Sequence, residues 1–143
     1  MEQNNINVVY AADDNFIPVM GVSIVSLLKN NRDISNINVT ILATNVSELN
    51  KQKVNDLFNK YNRPLPRWID ATNIEDTLGQ KVNQDRGSVS QYARIFLNDI
   101  FGEEVDRVLY LDCDTLIVDS IRNLWNIDLQ GNTIAALKDS FSK

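Results

Sequence analysis

The sequence predicts an α/β fold, with a mostly parallel β-sheet and helices on both of its faces. Short runs rich in β-branched residues alternate with amphipathic helical patterns, which is typical of parallel strands joined by crossover helices. Two acidic clusters follow predicted strands, at the carboxyl ends where ligands bind to such sheets. With 143 residues, 43% of them hydrophobic, the chain is long enough to bury a core of its own.

The first half of the chain predicts strands and helices in the order β-α-β-α-β. In chain order these are residues 6–12, 18–29, 37–43, 47–61 and 67–70. The strands are short runs of β-branched, aliphatic and aromatic residues. The first helix has Pro18 in its first turn and a broad apolar face. The second helix has Ser47 as its N-cap and apolar residues at helical spacing.

The second half predicts one helix and three extended segments. In chain order these are residues 90–100, 105–111, 115–118 and 133–137. Gly102 is expected to end the helix, because glycine accepts the left-handed conformation that often follows one. The apolar run within residues 105–111 predicts a buried strand. The chain ends shortly after residue 137, so the domain is expected to be incomplete as written.

Charge and residue usage exclude several classes of function. The chain has 14 Lys and Arg against 19 Asp and Glu, a net charge of −5, whereas a general nucleic-acid binder needs a basic face. It has no histidine, so it offers neither a histidine base nor a histidine metal ligand. The single cysteine, Cys113, permits no internal disulfide and favours a reducing compartment. The sequence shows no signal peptide or membrane span, and we expect a cytoplasmic protein, with the inner face of the membrane as an alternative location.

Asp112 and Asp114 form the acidic pair that points most directly to chemistry. They follow the predicted strand at residues 105–111, and side chains two residues apart on an extended segment lie on the same side. Two such carboxylates repel each other unless a cation lies between them, and they suit Mg²⁺ or Mn²⁺ with substrate phosphate oxygens completing the coordination. The simpler alternative is a pair of solvated loop aspartates. Cys113 is expected to face the other way and to pack as a small apolar residue.

The second acidic cluster, Asp13 and Asp14, lies with Asn15 directly after the first predicted strand. A carboxylate or amide at this point can hydrogen-bond a base or a ribose, and the small side chain of Ala11 would let a flat ring approach the backbone. The alternative is an Asx turn that caps the following helix, which is a common role for these residue types.

Two further residues are candidates through their position alone. Arg94 lies about one turn into the predicted helix at residues 90–100, where a guanidinium could reach a phosphate or a sugar hydroxyl. Asp139 follows the last predicted strand. The alternative for both is an ordinary surface or ion-pairing residue.

Taken together, these segments resemble glycosyltransferase family 8, the retaining bacterial galactosyl- and glucosyltransferases related to glycogenin. The matching segments are residues 8–15, 21–28, 90–94, 108–118, 124–125 and 135–139, in family-like order and spacing. The resemblance implies a GT-A fold, a Rossmann-like domain that binds a UDP-sugar and Mn²⁺. Residues 1–143 would be its donor-nucleotide-binding portion, without the acceptor portion. The implied reaction transfers galactose or glucose to a glycan, lipid-linked or protein-linked saccharide, as in bacterial cell-surface polysaccharide synthesis.

The resemblance also implies roles for individual residues. The residues that would hold the donor are Ala11, Asp13, Asn15, Arg94, Asp112, Cys113 and Asp139. The first three would hold the uridine, Arg94 the sugar or its phosphate, and the backbone at Cys113 the ribose. Asp112 and Asp114 would bind Mn²⁺ or Mg²⁺, and Asp139 would line the sugar side of the pocket. No catalytic nucleophile is assigned.

Two departures from the family pattern and two alternatives accompany this interpretation. The family's third protein metal ligand is a downstream histidine, which this chain lacks, and its acceptor site lies beyond residue 143. A haloacid-dehalogenase-type phosphatase also has a hydrophobic strand followed by D-x-D-x-T-L, with Asp112 as nucleophile, Asp114 as general acid and Mg²⁺ as cofactor. That motif normally opens its domain, whereas here it lies in the last quarter of the chain. The other alternative is a non-catalytic fragment that binds a nucleotide sugar.

Overall fold

The computed structural model describes residues 5–72 and 97–136 of the chain. The strands are β1 (Ile6–Asp13), β2 (Ile37–Thr44), β3 (Arg67–Asp70) and β4 (Leu109–Tyr110). The helices are α1 (Ile17–Asn30), α2 (Glu48–Lys60), α3 (Leu97–Phe101) and α4 (Arg122–Trp125), with short 3₁₀ helices at Asp14–Phe16 and Gly102–Glu104. No helix within the described ranges is long and apolar enough to cross a membrane.

The strands form one parallel sheet in the order β3-β2-β1-β4. β1 pairs with β2 along its whole length, from Ile6 opposite Ile37 to Asp13 opposite Thr44. Because the strands all run the same way, their carboxyl ends lie at one edge of the sheet. We call this the carboxyl edge, and it consists of the ends of β1, β2 and β3 together with residues 111–115 after β4.

Helices cover both faces of the sheet. On one face, α1 and α2 pack against the sheet around fully buried side chains such as Tyr10, Ile24 and Phe58. On the opposite face, Val9 of β1 belongs to a second cluster that includes Phe101 of α3. Successive residues of β1 point to opposite faces, so both faces need an apolar cover. The predicted parallel sheet with helices on both faces is therefore confirmed.

Local signals fix the limits of α1 and α2 close to those predicted. Pro18 lies in the first turn of α1, and the Ser47 hydroxyl accepts a hydrogen bond from the backbone N–H of Asn50 (3.3 Å) as the N-cap of α2. The far end of α1 has a partner that the sequence did not suggest. The guanidinium of Arg63 donates to the carbonyl oxygen of Asn31 (2.8 Å) and to the carbonyls of the next loop, which satisfies acceptors that a helix end leaves open.

In the second half, one predicted strand is shorter than expected and another prediction is wrong. The buried strand predicted at residues 105–111 is reduced to Leu109–Tyr110, which is only half-buried. Backbone pairing with β1 begins only at Leu109. Before that point, the Arg107 carbonyl accepts a hydrogen bond from the Asn7 side chain (3.4 Å) and not from the backbone of β1. The strand predicted at residues 133–137 is absent over residues 133–136, where the chain is exposed and no described strand lies alongside.

The third predicted helix is described only in part, since residues 73–96 lie outside the described ranges. Its described portion is α3, and Gly102 ends it with a positive φ of 59°, as predicted. The short helix α4 was not predicted, because four residues are too few to show a period.

Candidate functional site

Three of the predicted acidic residues meet at the carboxyl edge. Asp13 ends β1, and β4 is the strand beside it. The pairing extends one residue beyond β4, because the Leu111 N–H donates to the Val9 carbonyl (2.9 Å). Asp112 and Asp114 come directly after Leu111, so the fold places them next to the end of β1.

Asp112 and Asp114 project to solvent from a tight turn rather than from an extended segment. The Asp112 carbonyl oxygen accepts hydrogen bonds from the Thr115 backbone N–H (3.2 Å) and from the Thr115 hydroxyl (2.7 Å). We call residues 112–115 the acidic turn. Cys113 points inward, 8% exposed, and its thiol donates to the Ala11 carbonyl (3.1 Å). The expected inward packing of Cys113 is confirmed, and the expected extended geometry is wrong because the chain reverses here.

The acidic residues at the carboxyl edge influence the ionisation of Cys113. Burial raises the pKa of the Cys113 thiol to about 12, and the negative charges of Asp112, Asp114 and Asp13 contribute to the rise. Three carboxylates thus act on one sulfur atom. A pKa of this size keeps the thiol protonated near neutral pH, so Cys113 is a packing residue and not a nucleophile.

The carboxylate oxygens of the acidic turn have no hydrogen-bond or ion-pair partners in the described part of the chain. Both carboxylates are exposed, and within residues 5–72 and 97–136 neither accepts a hydrogen bond or forms an ion pair. The same ranges hold no group of three or more His, Cys, Asp or Glu side chains arranged for a metal. Two free carboxylates fit a hard divalent cation that takes its other ligands from water and substrate phosphate. Mn²⁺ and Mg²⁺ are such cations.

Asp13 serves a structural role at the end of β1. Its carboxylate accepts hydrogen bonds from the backbone N–H groups of Asn15 (3.0 Å) and Phe16 (3.1 Å), which caps the 3₁₀ helix at Asp14–Phe16. The alternative of an Asx cap is therefore confirmed for this residue. The cap leaves Asn15 exposed at the carboxyl edge, where its amide is available to a ligand.

Asp14 ties the end of β1 to the start of α2, a role that the sequence did not reveal. One carboxylate oxygen accepts hydrogen bonds from the Ser47 backbone N–H, the Ser47 hydroxyl and the Asn50 side chain, each at 2.9 Å. The Ser47 N–H, then Asn50, then the Ser47 hydroxyl lower the pKa of Asp14. Ser47 and Asn50 lie 33 and 36 residues from Asp14 in the chain. No local sequence pattern could therefore have revealed this contact.

A chain of hydrogen-bonded hydroxyl groups connects the acidic turn to the core of the protein. The Tyr10 hydroxyl lies 2.9 Å from the Ser23 hydroxyl, which lies 3.1 Å from the Thr115 hydroxyl. Sequence reasoning missed these residues. A signal was present in α1, because serine at position 23 interrupts the apolar face of the helix and must find a partner when buried.

Two depressions open near the ends of the sheet. One, of about 360 Å³, lies at the carboxyl edge beside β2 and β3, and is lined by Ala43, Asn45, Val46, Lys51, Trp68, Ile69, Asp70 and Thr72. The other, of about 700 Å³, lies at the C-terminal ends of α1 and α2, where Arg32, Lys60 and Arg63 line it. Helices that connect parallel strands run back along the sheet, so the larger depression is at the opposite edge and is not part of the candidate site.

Two predicted site residues, Arg94 and Asp139, lie outside the described residues. Their predicted contacts with the sugar and its phosphate stay predictions. The described site therefore consists of the acidic turn and the end of β1 with Asn15.

Comparison with known proteins gives one consistent result. The profile of Glycosyl transferase family 8 matches residues 7–143. The chain is 29% identical to the lipopolysaccharide 1,2-glucosyltransferase of Escherichia coli K12, over 94% of this chain and 38% of that protein. It is 28% identical to probable galacturonosyltransferase-like 4 of Arabidopsis thaliana, again over 94% of this chain and 38% of that protein.

The fold is also similar to that of a solved glycosyltransferase. The galactosyltransferase LgtC, in a complex with donor and acceptor sugar analogs, superposes with a TM-score of 0.72 at 32% sequence identity. The match covers 86% of this chain and 43% of LgtC, and the GT-A fold expected from the sequence is thereby confirmed. The chain spans less than half the length of the relatives that it matches.

Proposed function

Because this chain belongs to glycosyltransferase family 8, we propose that it is the donor-binding portion of a metal-dependent hexosyltransferase. The proposed reaction moves galactose or glucose from a UDP-sugar to a saccharide acceptor, with retention of anomeric configuration. One observation carries the proposal: two exposed carboxylates, Asp112 and Asp114, project without protein partners among the described residues beside the end of β1.

Different residues of the site would contact different parts of the donor. Asp112 and Asp114 would hold Mn²⁺ or Mg²⁺, which when bound neutralises charge on the departing diphosphate. Asn15 is free to donate to and accept from a base, and Asp13 keeps it in place through the cap on its backbone N–H (3.0 Å). The Ala11 side chain leaves room for a ring, and the backbone at Cys113 would contact the ribose.

Arg94 and Asp139 complete the proposal on the sugar side. Arg94 would contact the sugar or its phosphate through charge-assisted hydrogen bonds, and Asp139 would accept from a sugar hydroxyl. Both assignments rest on the family resemblance of residues 90–94 and 135–139. No nucleophile is assigned, and retention is proposed on the resemblance alone.

The phosphatase alternative loses support from the fold. In that class the acidic motif follows the strand that opens the domain, whereas here it follows β4, after three earlier strands of the same sheet. The family match over residues 7–143 also accounts for the segment at Asp13, which the phosphatase alternative leaves without a role.

A transfer assay tests the proposal. We expect UDP release from UDP-galactose or UDP-glucose by the whole enzyme that contains residues 1–143, in the presence of Mn²⁺ and saccharide acceptors. Asp112→Asn and Asp114→Asn should lower the rate by at least about 100-fold, the upper end of losses seen when partners of metal ligands are removed. Asp106→Asn is the matched control, because it removes an exposed carboxylate on the other side of β4.

The outcomes separate the three candidate functions. Equal rates in Asp112→Asn, Asp114→Asn and wild type would contradict metal-dependent transfer by this site. Hydrolysis of a phosphate monoester that requires Asp112 would revive the phosphatase. UDP binding without release of UDP from any donor would support the non-catalytic alternative.

A further inference from the structure

We propose that Tyr10, Ser23 and Thr115 form a positioning relay that fixes the acidic turn for cation binding. The inference rests on the proposed function, because it concerns how Asp112 and Asp114 come to be held ready for a metal. None of the three residues is proposed to touch substrate or metal.

The geometry of the relay is continuous from the core to the turn. Tyr10 of β1 and Ser23 of α1 are 0% and 1% exposed, and their hydroxyl oxygens are 2.9 Å apart. The Ser23 oxygen is 3.1 Å from that of Thr115, and the Thr115 hydroxyl donates to the Asp112 carbonyl (2.7 Å). A chain of hydrogen bonds thus joins the central strand, the first helix and the acidic turn.

The hydrogen bonds of the relay can run in only one direction. A carbonyl oxygen accepts and never donates, so the single hydrogen of the Thr115 hydroxyl is committed to Asp112. The Thr115 oxygen must then accept from Ser23, and the Ser23 oxygen must accept from Tyr10. Burial raises the pKa of Tyr10 to about 12, so the tyrosine keeps the hydrogen that it donates throughout the neutral range.

The relay holds one side of the acidic turn while β1 holds the other. The Asp112 carbonyl takes two hydrogen bonds from Thr115, one from the backbone (3.2 Å) and one from the hydroxyl. On the other side, the Cys113 thiol donates to the Ala11 carbonyl (3.1 Å). With both sides fixed, the backbone that carries Asp112 and Asp114 needs little reorganisation when a cation binds, which favours affinity.

Ser26 provides a matched control within the same helix. It lies one turn after Ser23 and is also buried, at 8% exposed. Its hydroxyl accepts from the Ile117 backbone N–H (2.9 Å) and donates to the Ser23 carbonyl (2.7 Å). Ser26→Ala therefore removes a buried hydroxyl of the same kind without touching the acidic turn.

Cys113 allows the turn to be observed without any metal. It is the only cysteine in the chain, and its buried thiol can react only when the acidic turn opens locally. The rate of its modification by a thiol reagent, at fixed pH and without divalent ions, therefore reports how firmly the turn is held. Mn²⁺ affinity in the presence of UDP, followed by the electron paramagnetic resonance of free Mn²⁺, reports the consequence for the site.

The test compares Ser23→Ala and Thr115→Val with Ser26→Ala and the conservative Thr115→Ser. We expect Ser23→Ala and Thr115→Val to speed Cys113 modification severalfold and to weaken Mn²⁺ binding about tenfold, in the range found for partners of metal ligands. Thr115→Ser keeps the hydroxyl and should restore wild-type values in both measurements. Ser26→Ala should lower the melting temperature as Ser23→Ala does, but leave Mn²⁺ affinity unchanged.

Each outcome bears on the inference. Unchanged Cys113 modification in Ser23→Ala and Thr115→Val would overturn it, and so would faster modification with unchanged Mn²⁺ affinity. An equal loss of Mn²⁺ affinity in Ser26→Ala would reduce the effect to general stability and would also overturn it. Faster modification together with no Mn²⁺ binding by wild type would contradict the proposed function while leaving the relay's hold on the turn supported.

Discussion

At the scale of single residues, the aspartates at the carboxyl edge differ because their partners differ. Asp13 caps a 3₁₀ helix through two backbone N–H groups, and Asp14 gathers donors from Ser47 and Asn50. Asp112 and Asp114 have no such partners among residues 5–72 and 97–136. Asp13 and Asp14 each use one carboxylate oxygen to stabilise the fold, whereas both carboxylates of the second pair are left free for a ligand.

Asp14 gives the protein an acid-sensitive contact. Its pKa is lowered below the ordinary value of 3.8 by the Ser47 backbone N–H, by Asn50 and by the Ser47 hydroxyl. A carboxyl whose pKa is lower in the folded state stabilises the fold above its unfolded pKa, and this contribution disappears as pH falls through the folded pKa. In urea unfolding from about pH 7 to pH 3, we expect Asp14→Asn to lose less stability on acidification than wild type.

The control for this pH dependence is Asp106→Asn, which removes an exposed carboxylate elsewhere. It should lose stability on acidification to the same extent as wild type. If Asp14→Asn also showed the wild-type pH dependence, the hydrogen bonds to Ser47 and Asn50 would not stabilise the charged carboxylate.

The sequence could single out Asp112 and Asp114 as candidates but could not separate the roles of Asp13 and Asp14. The acidic turn comes after an apolar segment, and a parallel sheet brings the loops after its strands to one edge. The role of Asp14 depends on Ser47, which lies 33 residues away in the chain. The relay through Ser23 and Thr115 spans 92 residues, and no local pattern encodes such a contact.

At the scale of elements, α1 and the residue after it anchor residues 117–121, which follow the acidic turn, through polar side chains beside the apolar face of the helix. Ser26 and Asn30 bond to the backbone of Ile117, and the Asn31 side chain accepts from the Ile121 N–H (2.8 Å). These side chains supply the partners that a neighbouring strand would otherwise supply. An extended segment was predicted at residues 115–118. Its observed partner is the helix α1 and not a neighbouring strand.

A substitution of Asn31 tests the contact between α1 and residues 117–121. It is 0% exposed, and besides accepting from Ile121 it donates to the Leu27 carbonyl (2.9 Å). Asn31→Ala should lower the free energy of unfolding by about 1–3 kcal/mol, because it leaves a buried N–H without an acceptor. The measurement is urea unfolding at neutral pH.

Asn59→Ala is the control, since Asn59 is exposed on α2 and surface changes of this kind stay within about 0.5 kcal/mol. Equal stability of the two variants would mean that the contact between α1 and residues 117–121 does not hold this part of the fold together.

Elements with strong local signals were predicted well and the others were not. β1, β2, β3, α1 and α2 lie within one or two residues of their predicted limits, because each has a run of apolar or β-branched residues or a capping residue. β4 is shorter than predicted, since its length depends on where the chain meets β1 at Val8 and Val9. The segment at residues 133–136 has strand-forming residues but no described strand beside it.

At the scale of the whole molecule, acidic charge is gathered at the carboxyl edge. The carboxylates of Asp13, Asp112 and Asp114 all act on Cys113, and the chain as a whole carries a net charge of −5. The proposed donor, a UDP-sugar, is itself anionic, so it would be repelled from this edge without a cation between the two. Donor binding is therefore expected to depend on a divalent metal.

The most direct test of this dependence is calorimetric titration of UDP into the protein, with Mn²⁺ and again with EDTA, for wild type and Asp114→Asn. We predict binding by wild type with Mn²⁺, and no measurable binding when either the metal or the Asp114 carboxylate is removed. UDP binding of equal affinity in EDTA, or in Asp114→Asn with Mn²⁺, would contradict a metal site at the acidic turn.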